Sequence, residues 1–321
     1  MMFAVRGIAV SFSIFFILYS VLSVAVCLGW RRLWLYGQQQ PARRCADLLF
    51  ILRMVPFLVA TGVTLVFAVP SFLLLEPRAV EESMGAGAVM LGCGGMAVML
   101  AGAWNAAAAL VRAARTVARW SKEARVIDSC DVDYRQPVAV MRTSAAAPPL
   151  TAAGILRPRV WVSGAAEFVL TERELRSALR HEVVHVRRRD NLRKLLLRLV
   201  AFPGMAQLES AWREATEMAA DDAAVSNASE ALDLAAAVIK LSRLAPFVPP
   251  AELTTALVQS PAQSVNARVE RLIAWTEPRQ SSSRYSFGYA LCAAIAVVVA
   301  SVLTYGGLLV RVHQATEWLV R

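Results

Sequence analysis

The chain has 321 residues, of which 57% are hydrophobic and only 18% charged, and its formal net charge is +10. A mean hydropathy of +0.49 excludes an ordinary water-soluble protein and is typical of a membrane protein with one soluble portion. The five cysteines form no CxxC pair, which argues against a cysteine zinc site and a disulfide framework. An excess of arginine in such a chain more often marks cytoplasmic flanks than nucleic-acid binding. We therefore expect contact with a lipid bilayer and no direct nucleic-acid partner.

Four stretches without charged residues are long enough to cross the hydrocarbon core of a bilayer. They run from Gly7 to Trp30, Met54 to Leu75, Ser83 to Val111 and Tyr285 to Val310. The sequence therefore predicts three transmembrane helices within residues 1–112, at about 7–30, 54–75 and 85–111. It also predicts a soluble domain at 113–284, and a fourth transmembrane helix with a short external tail at 285–321.

The basic residues indicate an orientation for these spans. The loop after the first span contains Arg31, Arg32, Arg43 and Arg44, and the segment after the third span is also basic, whereas the loop after the second span is net acidic. The positive-inside rule then places the N-terminus outside and residues 113–284 in the cytoplasm.

The soluble segment alternates short strand-like and longer helix-like patterns. Strands are predicted near Val138–Arg142, Leu150–Leu156 and Arg159–Ser163. Thr171 and Glu174 form a capping box, so a helix is expected to begin at Thr171, with an apolar face of Leu175, Leu179, Val183 and Val186. Further helices are predicted near Leu208–Asn227 and Ala231–Leu244, then a mobile loop in "APFVPPAELTTALVQSPAQ" and a closing "VNARVERLIAW". The expected fold is a mainly α membrane protein with an α+β soluble domain that bears a small sheet.

Two of the three histidines lie four residues apart on the helix predicted from Thr171, in "RHEVVH". Because four residues make just over one helical turn, His181 and His185 project from the same side and can bind one Zn²⁺ ion. Glu182 occupies the general-base position of an H-E-x-x-H motif. The same five letters also occur by chance, and two histidines on an arginine-rich helix can simply be solvated.

A catalytic zinc ion is expected to have a third protein ligand. The segment "TEMAADDAAV" offers Glu217 as that ligand and, one turn later, Asp221 as the acceptor that orients a ligating histidine. Asp222 points from another face and is the weaker candidate. The alternative for Glu217 is an exposed helix carboxylate in a row with Arg213.

The stretches "GILRPRVWVS", "ELRSALRHEVVHVRRRDNLRKLL" and "REATEMAADDAAV" resemble the membrane zinc metallopeptidases of the BlaR/MecR type, a β-lactam sensor-transducer family among the gluzincins. The resemblance implies a gluzincin-like domain in a bacterial inner (plasma) membrane protein. It implies His181, His185 and Glu217 as zinc ligands, Glu182 as the base, Asp221 as the residue behind a ligand and Asp190 as a structural residue. Those receptors carry an extracellular penicillin-binding domain after the fourth span, whereas this sequence ends at Arg321, so β-lactam sensing is not expected.

The HtpX-type quality-control peptidases are the nearest alternative family. In those proteins, hydrophobic spans separate the H-E-x-x-H helix from the third ligand. Here only 31 residues lie between His185 and Glu217, and "LLLRLVAFPGM" is too short to span a bilayer. The spacing therefore favours the sensor-transducer type.

The expected activity is cleavage of a cytoplasmic protein, with a transcriptional repressor in a signalling pathway as one candidate substrate. Arg268 is the candidate donor to the oxyanion, and its alternative is an ordinary helix-surface arginine. An exposed edge of the strand Arg159–Ser163 is a candidate substrate-binding edge, and the alternative is an ordinary paired strand. A membrane adaptor that binds partners without catalysis is the rival function; the substrate, the trigger and the oligomeric state are open.

Overall fold

The computed structural model describes residues 2–37, 40–76, 85–122, 124–127, 138–143, 148–244, 253–257, 262–276 and 305–315. The chain divides into two compact units. The first unit comprises residues 1–28, 54–101 and 278–321, and the second comprises residues 29–53 and 102–277. The second unit contains the H-E-x-x-H motif, and it includes the ends of apolar helices as well as the predicted soluble segment.

Long apolar helices occupy the regions of the three predicted N-terminal spans. Helix α1 is Met2–Gly37, α2 is Ala42–Val63, α3 is Val69–Leu75 and α4 is Ala86–Ser121, and a π-helical turn, Thr64–Ala68, joins α2 to α3. Among the described residues, three continuous helical stretches are long and apolar enough to cross a membrane. The predicted fourth span lies outside the described residues up to position 304, and residues 305–315 are helical.

The π-helical turn ends beside a proline that explains it. Pro70 has no N–H group to donate to the Val66 carbonyl, and its ring would crowd that carbonyl in a regular α-helix. The hydroxyl of Tyr305 donates a hydrogen bond to the Val66 carbonyl oxygen at 2.9 Å. The carbonyl that the Pro70 nitrogen cannot serve thus receives a hydrogen bond from another part of the first unit.

The second unit contains a five-stranded sheet in the order β1-β2-β4-β3-β5. The strands are Arg125–Ile127 (β1), Val140–Thr143 (β2), Leu150–Ala153 (β3), Arg159–Ser163 (β4) and Thr254–Ala256 (β5). Strands β2 and β4 are parallel, and the other neighbouring pairs are antiparallel. The sequence predicted the positions of β2, β3 and β4 and missed the two short outer strands.

Two of the predictions about this sheet were wrong. Strand β4 has no free edge, because Val160 pairs with Val140 on one side and Ala152 on the other. The segment predicted as a mobile loop contains β5, which pairs along the outer edge of β3. Both errors concern strand order, which depends on long-range pairing that local sequence patterns do not report.

The remaining helices of the second unit pack against this sheet or against each other. They are Gly164–Val169 (α5), Glu172–Arg188 (α6), Asp190–Leu199 (α7), Ala206–Ala224 (α8), Ala228–Leu244 (α9) and Ala262–Ile273 (α10). The core includes Leu179 and Val183 of the predicted apolar face of α6, and Leu175 and Val186 pack at its margin. Helix α6 therefore crosses the centre of the unit.

The N-terminus of α6 is capped as the sequence predicted. The Thr171 hydroxyl accepts a hydrogen bond from the backbone N–H of Glu174 at 3.4 Å. The Glu174 carboxylate in turn accepts one from the backbone N–H of Thr171 at 2.8 Å and is paired with Lys240 of α9 at 2.7 Å. This reciprocal cap fixes where α6 begins and hence which of its residues face inward.

Helix α4 approaches the end of α7 so closely that only glycine fits at one position. A Cβ atom at Gly102 would collide with the backbone carbonyl oxygen of Leu199, whereas a Cβ atom at Gly87 would meet nothing within 4 Å. Both glycines lie within α4, Gly87 in its first turn and Gly102 in its interior.

We expect Gly102→Ala to lower the unfolding temperature of the detergent-solubilised chain and Gly87→Ala to leave it unchanged or raise it. Alanine is a better helix former than glycine by about 1 kcal/mol, but the overpacking at Gly102 costs about 1–3 kcal/mol. A thermal unfolding scan compares the two variants with the wild type. Equal shifts for both variants would show that the contact with Leu199 does not constrain α4.

Candidate metal centre

Helix α6 places the three residues of the H-E-x-x-H motif inside the second unit. His181, Glu182 and His185 are at most 2% exposed. The Nε2 atoms of the two histidines face each other at 3.1 Å, as expected for side chains one turn apart on the same helix face. The burial of the motif results from the packing of α6 against α8, α9 and β3.

Helix α8 brings Glu217 to the same point. Its carboxylate oxygens lie 3.5 Å from Nε2 of His181 and 3.6 Å from Nε2 of His185. One potential ligand atom from each of the three residues lies within 4.8 Å of the others, and this is the metal-ligand group found in the described parts of the chain. The structure therefore brings together the three residues that the sequence analysis expected to be metal ligands.

A carboxylate lies behind each histidine. Asp190 is fully buried and its Oδ2 lies 2.7 Å from Nδ1 of His185, while Oδ1 of Asp221 lies 3.0 Å from Nδ1 of His181. An acceptor at Nδ1 favours the tautomer whose Nε2 atom has a free lone pair. Two such lone pairs and a carboxylate that converge on one point form a donor set that fits a metal ion.

A left-handed residue makes the contact of Asp190 possible. Arg189 has φ 54° and ψ 42°, and it ends α6 while it begins α7. The resulting change of direction brings Asp190, the first residue of α7, back to His185 of the preceding helix. A non-glycine residue in this conformation is uncommon and is maintained only by surrounding structure.

The electrostatic environment favours positive charge at the point where the ligand atoms converge. Burial lowers the pKa of His181, but hydrogen bonds with Asp221 and Glu217 outweigh that effect and raise it to about 9. Burial raises the pKa of Glu217, but the charges of His185 and Arg268 reverse the shift and lower it to about 2. The pKa of Asp221 lies well below its ordinary value, since Arg268 and His181 outweigh its burial.

Glu182 differs from the other buried carboxylates of the site. It is 0% exposed, and neither of its oxygens has a hydrogen-bond partner among the residues that the structure describes. Burial, aided by the charge of Glu217, raises its pKa to about 8, although His181 and the backbone of Ala152 act in the opposite direction. A carboxyl group with this pKa can accept and return a proton near neutral pH.

Arg268 of α10 joins the two acidic residues of α8. Its guanidinium donates to both carboxylate oxygens of Asp221 at 2.7 and 2.8 Å and to the Leu257 carbonyl at 2.8 Å. It also lies 3.1 Å from Oε2 of Glu217. These contacts engage its nitrogen donors and favour a role in positioning Asp221 and Glu217 over the expected donation to an oxyanion. The exposed pair Asp222–Arg271, at 2.7 Å, lies on another face of α8, as the sequence analysis expected of Asp222.

Two polar residues of α7 that the sequence analysis missed connect the site to the sheet. Asn191 donates to the carbonyls of Ala152 and Gly154 at 3.1 and 3.2 Å. The Lys194 ammonium donates to the carbonyl of Thr254 in β5 at 2.6 Å. Burial lowers the pKa of Lys194, and the nearby charges of Glu217, Asp190 and Glu182 oppose that shift. The spacing of Asp190, Asn191 and Lys194 along one turn was the signal available in the sequence.

A buried His-His-Glu group, in a chain with long apolar helices, is typical of the class of membrane metallopeptidases. The model of the BlaR1 peptidase M56 family matches residues 86–272, which is more than half of the chain. The chain belongs to this family, and the resemblance to the BlaR/MecR-type peptidases is thereby confirmed at the level of the family. No curated protein matches the chain.

We expect Arg268→Gln to destabilise the protein far more than Arg271→Gln does. Removal of Arg268, which is 1% exposed, leaves the buried carboxylates of Asp221 and Glu217 uncompensated, at a cost of about 3–5 kcal/mol. Arg271 makes an exposed ion pair worth at most about 1 kcal/mol, three residues later on the same helix. Denaturant or thermal unfolding of both variants measures the difference, and similar losses would contradict it.

In metal-free protein, we expect Glu182→Gln to be more stable than the wild type at pH 8, with a gap that shrinks toward pH 5. The folded carboxyl has a pKa of about 8 against an ordinary value of 4.5, so it retains its proton to higher pH than the unfolded chain does. The wild type therefore loses stability as the pH rises through this interval, by up to about 1.4 kcal/mol per pH unit. Unfolding temperatures of both proteins in chelator from pH 5 to pH 8 provide the measurement, and a gap independent of pH would contradict it.

Proposed function

We propose that the protein is a membrane-tethered zinc endopeptidase of the gluzincin type, with His181, His185 and Glu217 as metal ligands. The observation that carries the proposal is the convergence of two Nε2 atoms and one carboxylate, with an acidic acceptor behind each imidazole. Two nitrogen ligands and one carboxylate oxygen make up a donor set that zinc uses in peptidases, where a fourth position stays open.

A zinc ion held by these ligands would polarise the scissile carbonyl group and make a water molecule more acidic. Glu182 accepts the proton of the attacking water and returns it to the nitrogen of the departing amine. In the site without metal, burial raises its pKa to about 8, so this carboxyl group takes up a proton more readily than an ordinary glutamate does. Asp190 and Asp221 keep the imidazoles oriented, and Arg268 keeps Asp221 and Glu217 ionised.

The substrate in this proposal is a protein on the cytoplasmic side of a bacterial plasma membrane. The arginines that follow the first and third predicted spans support this orientation, with the N-terminus outside. A transcriptional repressor fits as the substrate because a membrane-bound peptidase of this family is suited to pass a signal inward by cutting a regulator. Helix α6 packs against β3, which is paired on both sides, with β4 and with β5, so a substrate strand has to take the place of β5 or bind beyond it.

The short connection between the ligands favours this function over membrane-protein quality control of the HtpX type. Residues 186–216 form the end of α6, α7 and most of α8, and no candidate membrane span lies among these described residues. The metal ligands therefore come from α6 and α8 of one unit, and only the short helix α7 lies between those two helices in the chain.

The purified wild-type chain is expected to bind stoichiometric zinc and to cleave its substrate. Glu182→Gln is expected to keep the zinc and lose at least about 100-fold in cleavage rate, because it removes the proton acceptor and spares the ligands. His185→Ala is expected to lose both zinc and activity. Zinc is measured by elemental analysis of the detergent-solubilised protein.

Substrates are found by quantitative proteomics of membranes and cytosol from cells that express the wild type or Glu182→Gln. Proteolytic fragments present only with the wild type identify the target. Equal fragment profiles, together with bound zinc in both proteins, would refute the peptidase and favour the adaptor function.

A further inference from the structure

One face of α2 contacts the helices that carry the metal site. Asp47, Phe50 and Arg53 are three residues apart and so lie on the same side of the helix. All three belong to the second unit, and Arg53 is the last charged residue before the apolar remainder of α2. We call the face formed by Asp47, Phe50 and Arg53 the α2 docking face.

Each residue of the α2 docking face has a defined partner. The Asp47 carboxylate accepts a hydrogen bond from Arg193 of α7 at 2.7 Å. The ring of Phe50 lies under the Arg193 guanidinium, 5.3 Å from its carbon, and packs against Trp212 of α8 with ring centroids 6.1 Å apart.

The third contact of this face is made by Arg53, which is 1% exposed. Arg53 donates to the carbonyl of Val200 at the end of α7 and pairs with Glu209 of α8 at 3.3 Å. Helix α2 therefore contacts both the helix that follows the histidine motif and the helix that supplies Glu217.

A line of alternating charges leads from this face to a metal ligand. Nη2 of Arg188 lies 3.7 Å from the Asp47 carboxylate, and its Nε lies 3.6 Å from Oδ1 of Asp190. The other oxygen of Asp190 lies 2.7 Å from Nδ1 of His185. Asp47 is thus two ion pairs away from the residue that orients His185.

The position of Arg188 depends on those two carboxylates. Its side chain is 11% exposed, and its three guanidinium nitrogens make no hydrogen bonds with the described residues. A guanidinium held by Coulomb attraction at 3.6 to 3.7 Å moves when one of its two anions is removed, because direct hydrogen bonds do not fix it. Asp190, which is 0% exposed, then loses part of the compensation that makes its buried charge tolerable.

We propose that Asp47 is a positioning residue for the metal ligand His185, acting through Arg188 and Asp190, and that α2 thereby adjusts the metal centre. The inference rests on the proposed role of His185 as a metal ligand. Asp47 holds Arg188 in place, Arg188 holds the Asp190 carboxylate, and Asp190 sets the direction of the His185 ring. A shift of α2 relative to α7 changes the first of these distances and is passed to the ligand.

The test compares Asp47→Asn with Glu209→Gln in the full chain in detergent. Asp47 belongs to the α2 docking face and Glu209 pairs with it, and each substitution removes the charge of one carboxylate. The native side chains of Asp47 and Glu209 are 38% and 27% exposed, respectively. Only Asp47 is connected to His185. Zinc affinity is measured by competition with a chromophoric chelator, and the visible absorption of the cobalt(II)-substituted protein reports the ligand geometry.

We expect Asp47→Asn to weaken zinc binding by about 3- to 10-fold and to shift the cobalt(II) absorption bands. This effect is smaller than the 10- to 100-fold typical for a direct partner of a ligand, because Asp47 is further away. Glu209→Gln is expected to match the wild type in both measurements. Asp47→Glu, which keeps the charge, is expected to restore most of the affinity and the wild-type spectrum. If Asp47→Asn does not fold, Arg188→Gln, which removes the link between Asp47 and Asp190, is expected to give the same losses.

Wild-type affinity and spectrum in Asp47→Asn would overturn the proposal while leaving the peptidase function intact. Equal losses in Asp47→Asn and Glu209→Gln would also overturn it, because they would reflect general loosening of α2. A zinc affinity of Asp47→Glu as low as that of Asp47→Asn would overturn the proposal as well. A wild-type protein that binds neither zinc nor cobalt would instead refute the metal site itself, and the positioning role with it.

Discussion

A buried carboxylate is stable only where a cation or a hydrogen-bond donor meets it, and this constraint organises the second unit. Asp190, Asp221 and Glu217 come from α7 and α8, and each is matched by an imidazole of α6 or by Arg268. Since the partners lie on different helices, the charges fix how those helices pack. Apolar packing alone would allow the helices to shift slightly against each other, and these charge pairs prevent such shifts.

Glu182 differs from these three residues because no such partner in the described part of the chain meets its carboxyl group, and this difference indicates its chemical role. Its carboxyl group is as buried as the others, yet the described residues provide it with no hydrogen bond. An unmatched buried carboxyl group has a raised pKa and so takes up and releases a proton near neutral pH, whereas a well-paired carboxylate such as Asp221 stays ionised. The contrast between two acids that both interact with the His181 imidazole separates a group suited to proton transfer from groups suited to holding ligands in place.

Much of the centre follows from local sequence, and the remainder depends on contacts between distant segments. The i, i+4 spacing of the histidines and the Thr171 capping box predicted how α6 presents its residues. The helical spacing of Glu217 and Asp221 predicted that both face one side of α8. The contacts of Arg268 were not predictable, because the sequence does not show that α10 lies against α8. The order of the strands and the approach of Asp47 to Arg188 were missed for the same reason, since each joins segments that are far apart in the chain.

The hydroxyl of Tyr305 and the carbonyl of Val66 have a further consequence for the first unit. Pro70 has no N–H group to donate to that carbonyl, and in hydrocarbon no water replaces a lost donor. Sliding or rotation of residues 305–315 therefore breaks a hydrogen bond that lipid does not restore. Together with the ring contact of Phe67 with Tyr305 and the hydrogen bond from Ser71 to the Leu309 carbonyl, this bond sets the register of a helix more than 200 residues later in the chain.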